Sequence, residues 1–336
     1  MPHIFVNDLK PGSKVNQYFL ITKKERRRTR GGKDYLDITL ADRTGSLGGK
    51  IWAESLEQLD PLFEAGQFAG VAGKVDSYQD ERQLTIERIK GTHLIPPEQL
   101  EASHFDPGLL VPSSPLDPLE LWNEILYWVE TEIDPLDLKT LTLSLLQTHK
   151  EAWIIRPAAK KYHHAYRGGL MEHTHRVVRL TRMTSDIFPD LNRGLLLAGA
   201  ILHDLGKIKE IEDGLTAQNS FEGQLLGHIV LGWEMVRETA RTIVWDDPRL
   251  LTRLEHIILA HHGQLEFGSP VLPQTREALV VHFLDDLEGK LKMMGDHLEQ
   301  DQGEPDFTDW HRVLKRKLLK NKKPEPPTEY CRTSTG

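Results

Sequence analysis

The chain has 336 residues, 39% of them apolar and 27% charged, and a formal net charge of −8. This is an ordinary globular composition, long enough for two domains. The N-terminal MPHIFVNDLKPG lacks a signal-peptide layout, and no apolar run approaches the ~18 residues of a membrane span. The single cysteine, Cys331, can close no internal disulfide, so a reducing cytoplasm and no membrane partner are the expectation.

The averages hide an uneven distribution. Residues 1–95 carry 15 Lys/Arg against 13 Asp/Glu, so the acidic excess lies in the remainder, and ten of the sixteen histidines fall between His163 and His282. In chain order, five β-rich stretches come first, at 15–21, 34–42, 48–53, 67–75 and 82–89, each bounded by Gly, Asp or Pro. ESLEQLDPLFEAG, between the third and fourth, reads as a short helix interrupted at Pro61. Five strands with that helix placement are the order of an OB-fold barrel, and 1–94 is assigned to a nucleic-acid-binding domain of this kind. Another small β-barrel fits the same strand pattern.

The sharpest basic cluster, KKERRRTRGGK at 23–33, holds seven Lys/Arg against one Glu. It is read as the loop between the first and second strands, with Lys24, Arg26, Arg27, Arg28, Arg30 and Lys33 facing phosphates. Tyr18, Phe19, Tyr35 and Trp52 lie on nearby strands, and Tyr35 and Trp52 are the candidate stacking platforms for bases. Alternation sends Tyr18 and Phe19 to opposite sides, so one of the two at most is a platform. A solvated hairpin tip and core aromatics are the alternative.

Residues 95–118 contain six prolines and no sustained period, as expected of an interdomain linker on which Phe105, Leu109 and Leu110 can dock. From 119 to 320 the pattern turns helical, with i, i+3, i+4 apolar spacing over 119–133, 136–149, 169–188, 191–203, 224–243, 248–261 and 274–298. EIEDGLTAQNS at 210–220 is a hairpin or loop, and the tail 321–336 is expected to be disordered. The architecture is therefore multi-domain: an all-β OB-fold barrel followed by an all-α helical domain.

The helical region carries metal-capable residues on apolar helices, where imidazole and carboxylate are costly to bury alone. GGLMEHTHRVV offers His173, ILHDLGK offers His203 and Asp204, and GQLLGHIVLG offers His228; ILAHHGQ offers His261 and His262, and HFLDDLEGK offers Asp285 or Asp286. Each piece alone is a weak signal. The ordered set, H…HD…H…HH…D, is too rich for one tetrahedral ion and suits two divalent cations sharing a carboxylate, a device for cutting phosphate esters. Mixed nitrogen and oxygen donors fit Mn, Fe, Co or Zn.

This set resembles the two-metal variant of the HD-domain phosphohydrolases over roughly 150–300. The resemblance implies that His173, His203, Asp204 and Asp285 hold one ion, and that Asp204 bridges to a second held by His228, His261 and His262. It places Lys207 at the substrate phosphate, where an ammonium balances charge building on the phosphoryl oxygens. It also prefers Asp285 to Asp286. His163 and His164 are either substrate contacts or structural. His175 points to another helix face, and His256 and His282 have no place in the motif.

Barrel, proline-rich linker and HD region together resemble the YhaM family of bacterial 3′-5′ exoribonucleases over nearly the whole chain. PAAKKYHHAYRGGLMEHT and HHGQLEFGSPVLPQTREALVVHFLDDLEGK carry the likeness beyond the generic motif. The resemblance implies removal of nucleotides from the 3′ end of single-stranded RNA, and DNA too, with two divalent ions, Mn²⁺ first. It also implies a homo-oligomer, a hexamer among the states. The basic run 26–30 is heavier than the family needs. Two rival readings remain: an HD phosphohydrolase of a small nucleotide or cyclic dinucleotide whose barrel serves assembly, and a non-enzymatic single-strand binder.

Overall fold

In a computed structural model the structure describes residues 3–29, 31–78, 81–103, 105–159, 164–212, 218–301 and 306–320. Five strands, β1 (Lys14–Arg28), β2 (Asp34–Asp42), β3 (Gly45–Ile51), β4 (Phe68–Tyr78) and β5 (Glu81–Gly91), close into a barrel in the order β1-β2-β3-β5-β4. All neighbours pair antiparallel except β3 and β5. Helix α1 (Ala53–Leu59) lies between β3 and β4, as an OB-fold requires. The alternation that builds the core is plain in β2: Leu36, Ile38 and Leu40 are buried, while Tyr35, Asp37 and Thr39 face outward.

Two sequence expectations change here. The basic run is strand, not loop: β1 continues past a bulge at Ile21/Lys23 to Arg28, pairing Arg26, Arg27 and Arg28 with Leu36, Tyr35 and Asp34. A charged segment hides its strand character because its partners, not its own apolar residues, hold it. The strand gives way after Arg28, where Thr29 N donates to Lys33 O at 2.8 Å and Gly32 N to Thr29 O at 3.0 Å. Trp52 lies just beyond β3, at the N-cap of α1.

The segment 95–118 is partly ordered on the barrel. It forms α2 (Pro97–Ala102) and a 3₁₀ turn at Pro107–Leu109. Phe105 packs its ring edge against Tyr18 and Phe68, Leu109 O accepts from Arg43 N at 3.0 Å, and Leu110 is buried. Tyr18 is thereby spent on docking this segment, and Phe19 is wholly in the core.

Helices α3 (Pro118–Glu132), α4 (Leu136–Thr148), α5 (Lys150–Ile155), α6 (Gly169–Ile187), α7 (Arg193–Leu202), α8 (Lys207–Glu210), α9 (Phe221–Ala240), α10 (Pro248–Ala260) and α11 (Arg276–Gln300) follow. Their starts obey capping chemistry: Asp117, Asn192, Ser220 and Asp247 each accept a backbone N–H from the first turn, and Pro118 and Pro248 occupy first-turn positions. Trp122, Trp153, Leu170, Leu197 and Ile257 lie in one helical core, separate from the barrel's. Among the described residues no helix is long and apolar enough to cross a membrane.

The chain divides into two units, Met1–Gly289 and Lys290–Gly336. Among the described residues the last helix ends at Gln300, close to the 298 expected from the pattern; within the second unit, 306–320 is a small bridged hairpin. The tail 321–336 lies outside the described residues.

Candidate functional site

Helix α7 explains why His203 and Asp204 are deep. Every residue from Gly194 to Leu202 is buried, so the helix runs through the core and the turn that ends it opens inside the protein. His203 and Asp204 are accordingly 0% and 1% exposed. Gly206 then lets another backbone in. A Cβ there would lie 1.9 Å from His228 O and 2.5 Å from Gly232 N, so any side chain would push α9 away. Helix α9 is itself broken at Gly227 (φ 72°, ψ 160°), a conformation that favours glycine, and the next residue, His228, turns toward Asp204.

The donors converge in two adjoining groups. In the first, His173 Nε2 is 3.3 Å from His203 Nε2, 3.3 Å from Asp204 Oδ2 and 3.2 Å from Asp285 Oδ1, and His203 Nε2 is 3.3 Å from Asp204 Oδ2. Donors at about 2.1 Å from a common ion would be separated by roughly 3.0–3.4 Å, so the group has the dimensions of a coordination shell. In the second, His228 Nε2 and His261 Nε2 approach the other oxygen, Asp204 Oδ1, at 3.5 and 3.8 Å, and His262 completes a cluster of three imidazoles.

Each of the five imidazoles is anchored through Nδ1. His203, His261 and His262 meet the carbonyls of Ala200, Ile258 and Phe267 at 2.8, 2.7 and 2.7 Å, and these acceptors require Nδ1–H. His173 and His228 meet Glu288 at 2.7 Å and Glu210 at 3.2 Å. With Nδ1 committed as donor, Nε2 is the atom each ring turns inward, the orientation of a metal ligand. Among the described residues His228 Nε2 and His261 Nε2 are buried with no hydrogen-bond partner. Such an orphan costs about 1–3 kcal/mol, which a coordinated cation would offset. The residues therefore fit a divalent metal.

The two groups differ in charge. Burial alone would lower His203, but Asp204 and Asp285 carry its imidazole up to about 9, and His173 is likewise raised against its burial by Asp204, Asp285 and Glu288. Burial would raise Asp204, yet Lys207 and His203 hold it well below the usual carboxylate range. His261 goes the other way: burial, with His262 and His203 adding like charge, keeps it neutral. Lys207 is almost wholly buried, its Nζ 2.6 Å from Asp204 Oδ2, so an ammonium stands beside the carboxylate that both groups approach.

Sequence reasoning missed the support layer. Buried Glu288 accepts from His173 Nδ1 and from His164 Nε2 at 2.9 Å, and buried Glu172 accepts from Tyr166 Oη at 2.8 Å and Ser114 Oγ at 2.6 Å. Both carboxylates also meet Arg176. The only signal was position: Glu288 lies three residues after Asp285, on the same helix face. His164 is wholly buried with its ring nitrogens on Tyr166 and Glu288, so the substrate-contact expectation gives way to a supporting role for it. His163 lies outside the described residues. His175 pairs with Glu124 and stacks on Trp128, His256 accepts from Gln274 N, and His282 Nδ1 donates to His261 O.

On the barrel, β1–β3 present Arg27, Tyr35, Lys50 and, just beyond, Trp52. The Tyr35 and Trp52 ring centroids are 5.5 Å apart, Lys50 Nζ is 5.2 Å from the Tyr35 centroid, and Trp52 is 41% exposed. Lys50 was not singled out from the sequence. The cations are not free: Arg26 and Arg28 pair with Asp34, Arg27 with Glu25 and Asp37, and Lys33 with Glu54. Lys24 is turned inward, its Nζ on the carbonyls of Asp60 and Phe63 and on Asp60 and Glu64 carboxylates, which makes it a structural cation rather than a phosphate contact. Arg30 lies outside the described residues.

Known proteins agree with both halves. An HD domain family model matches residues 170–290, and one for an OB-fold nucleic acid binding domain matches 20–90. The 3′-5′ exoribonuclease YhaM of Halalkalibacterium halodurans is 33% identical over 291 residues, 87% of this chain and 88% of its own. The chain belongs to the YhaM family. The YhaM proteins of Shouchella clausii and Bacillus subtilis are also 33% identical, over 87% and 86% of the chain. A YhaM match of this length spans barrel, linker and metal-capable cluster together, and with the HD domain it makes the chain a metal-dependent hydrolase.

Proposed function

We propose that the chain is a divalent-metal-dependent 3′-5′ exonuclease that shortens single-stranded RNA, and DNA as well, releasing 5′-mononucleotides. The observation that carries the reading is the convergence of four Nδ1-anchored imidazoles, His173, His203, His228 and His261, on the two oxygens of one buried aspartate, Asp204, with His262 beside the last two, in a chain of the YhaM family. His173, His203, Asp204 and Asp285 would hold one cation, and Asp204, His228, His261 and His262 a second. When bound, two such ions supply Lewis-acid charge to the phosphoryl oxygens and acidify water for in-line attack.

The chain's own residues do the rest. Glu288, Glu210 and three backbone carbonyls fix the ligand tautomers before substrate arrives, so no reorganisation is needed at the moment of reaction. Lys207, held by Asp204, adds positive charge where the phosphate would sit. On the barrel, Tyr35 and Trp52 would stack bases while Arg27 and Lys50 exchange their carboxylates for phosphates. The proposed working ion is Mn²⁺ and the proposed working form a homo-oligomer; Fe, Co and Zn suit the same nitrogen and oxygen donors.

The test is incubation of the full chain and Mn²⁺ with single strands labelled at the 5′ end, RNA and DNA in parallel. A ladder shortening from the 3′ end is the expected result. Intact strands, with turnover of a cyclic dinucleotide instead, would overturn the nuclease reading.

A further inference from the structure

The second unit holds a cationic surface of a different kind from the barrel's. Residues 306–320 fold back on themselves through antiparallel bridges Phe307↔Leu319 and His311↔Arg316. The hairpin is anchored: Thr308 N donates to Leu318 O at 2.8 Å, Leu318 N to Thr308 Oγ1 at 3.0 Å, and Asp309 N to Asp301 Oδ2 at 2.7 Å. The His297 and His311 rings meet edge to face at 4.7 Å, and Lys320 pairs with Asp301. Thr308 and Leu318 point inward at 1% and 3% exposure.

Almost everything else on the hairpin faces water. Trp310 is 58% exposed, and Arg312, Lys315, Arg316 and Lys317 on the same hairpin are exposed too. Among the described residues none of these four cations has a carboxylate partner, whereas every described cation of the 23–33 run has one. The difference matters because a cation already paired must give up its carboxylate before it can take a phosphate. An unpaired one meets the phosphate directly and releases the strand's counterions. An exposed indole on the same short hairpin as cations without carboxylate partners has the chemistry of a single-strand platform, stacking a base while the cations track the backbone.

We infer that the 306–320 hairpin is a second binding surface for single-stranded nucleic acid, with Trp310 stacking a base and Arg312, Lys315, Arg316 and Lys317 contacting phosphates. The inference takes its ligand class from the proposed function. It adds a contact outside both the barrel and the HD site.

The test uses the full chain with EDTA, so that only binding is read, and a fluorescein-labelled single-stranded RNA whose anisotropy is followed across a KCl series. Replacing Arg312, Lys315, Arg316 and Lys317 together by Gln is expected to reduce the slope of log affinity against log salt by about 3, at roughly 0.7 per phosphate contact. Trp310→Ala is expected to weaken binding about 5- to 100-fold, and Trp310→Phe to recover most of it. Variants with an unchanged thermal midpoint keep the reading free of misfolding. Unchanged slope and affinity in both variants overturn the inference. So does a change confined to oligomeric state, or to capture by phosphatidylglycerol vesicles, with RNA affinity intact. A wild-type chain that binds RNA but gives no ladder with Mn²⁺ overturns the nuclease reading instead, so the two failures are distinguishable.

Discussion

The HD cluster and the barrel face both gather charged and aromatic side chains, yet they are built on opposite terms. In the HD cluster the metal-capable side chains are buried or nearly so, the imidazoles are anchored through Nδ1, and among the described residues two imidazole nitrogens, those of His228 and His261, are left without hydrogen-bond partners. On the barrel the side chains are exposed or half-exposed, and each described cation of the 23–33 run is already neutralised by a neighbouring carboxylate. A buried convergent site is all-or-none, because losing one member strands the others in low dielectric. A solvated ion-paired face is graded, because water or another counterion replaces whatever is removed.

The sharpest way to break that contrast is at Asp204. Asp204→Ala removes the carboxylate shared by both donor groups, and hydrolysis is expected to fall by at least about 10³-fold, while single-strand binding in EDTA survives. Turnover retained with metal still bound would sink the two-ion assignment. Next in size is Gly206→Ala, which sets a methyl group against the α9 backbone and drives His228 from its place. Bound Mn²⁺ per chain, measured by elemental analysis, is expected to drop from two toward one, with about a 10²-fold loss of rate. A stoichiometry still at two would show that α9 yields without cost.

Glu288→Gln keeps the shape beneath His173 but removes the charge that holds its Nδ1–H; loss of about 10- to 100-fold in metal affinity or activity is expected, read by Mn²⁺ titration of the rate. On the barrel, Trp52→Ala is expected to raise KM on long single strands about 5- to 100-fold, with a smaller change on a short diester; equal losses on both substrates would erase the distinction between the regions. Smallest is Arg27→Ala. Its guanidinium is shared with Glu25 and Asp37, so strand affinity should fall only a few-fold and the salt slope by less than about 0.7.

How far the sequence reached differs between the two regions for a physical reason. The metal-capable residues sit on or at the ends of apolar helices, where a His or Asp stands out against its background, and in the fold the seven lie in two adjoining groups. Their support did not stand out: Glu288 and Glu210 lie in DDLEGK and KIKE, runs that look like any solvated helix face. The barrel's charge was misjudged because it was counted locally. Within 23–33 one acid faces seven cations, but Asp34, Asp37, Glu54, Asp60 and Glu64 come from beyond that window, from neighbouring strands and the α1 region.

By itself the sequence determined the order of elements, the division into barrel and helices, and the set of metal-capable residues, because these follow from local periodicity and from residue types that are costly to bury alone. Only the tertiary structure decided which oxygen of Asp204 His173, His203, His228 and His261 each approach, that His164 supports rather than contacts, that Lys24 is structural, and which described cations remain unpaired. Those are properties of distance and burial, and residues far apart in sequence set them.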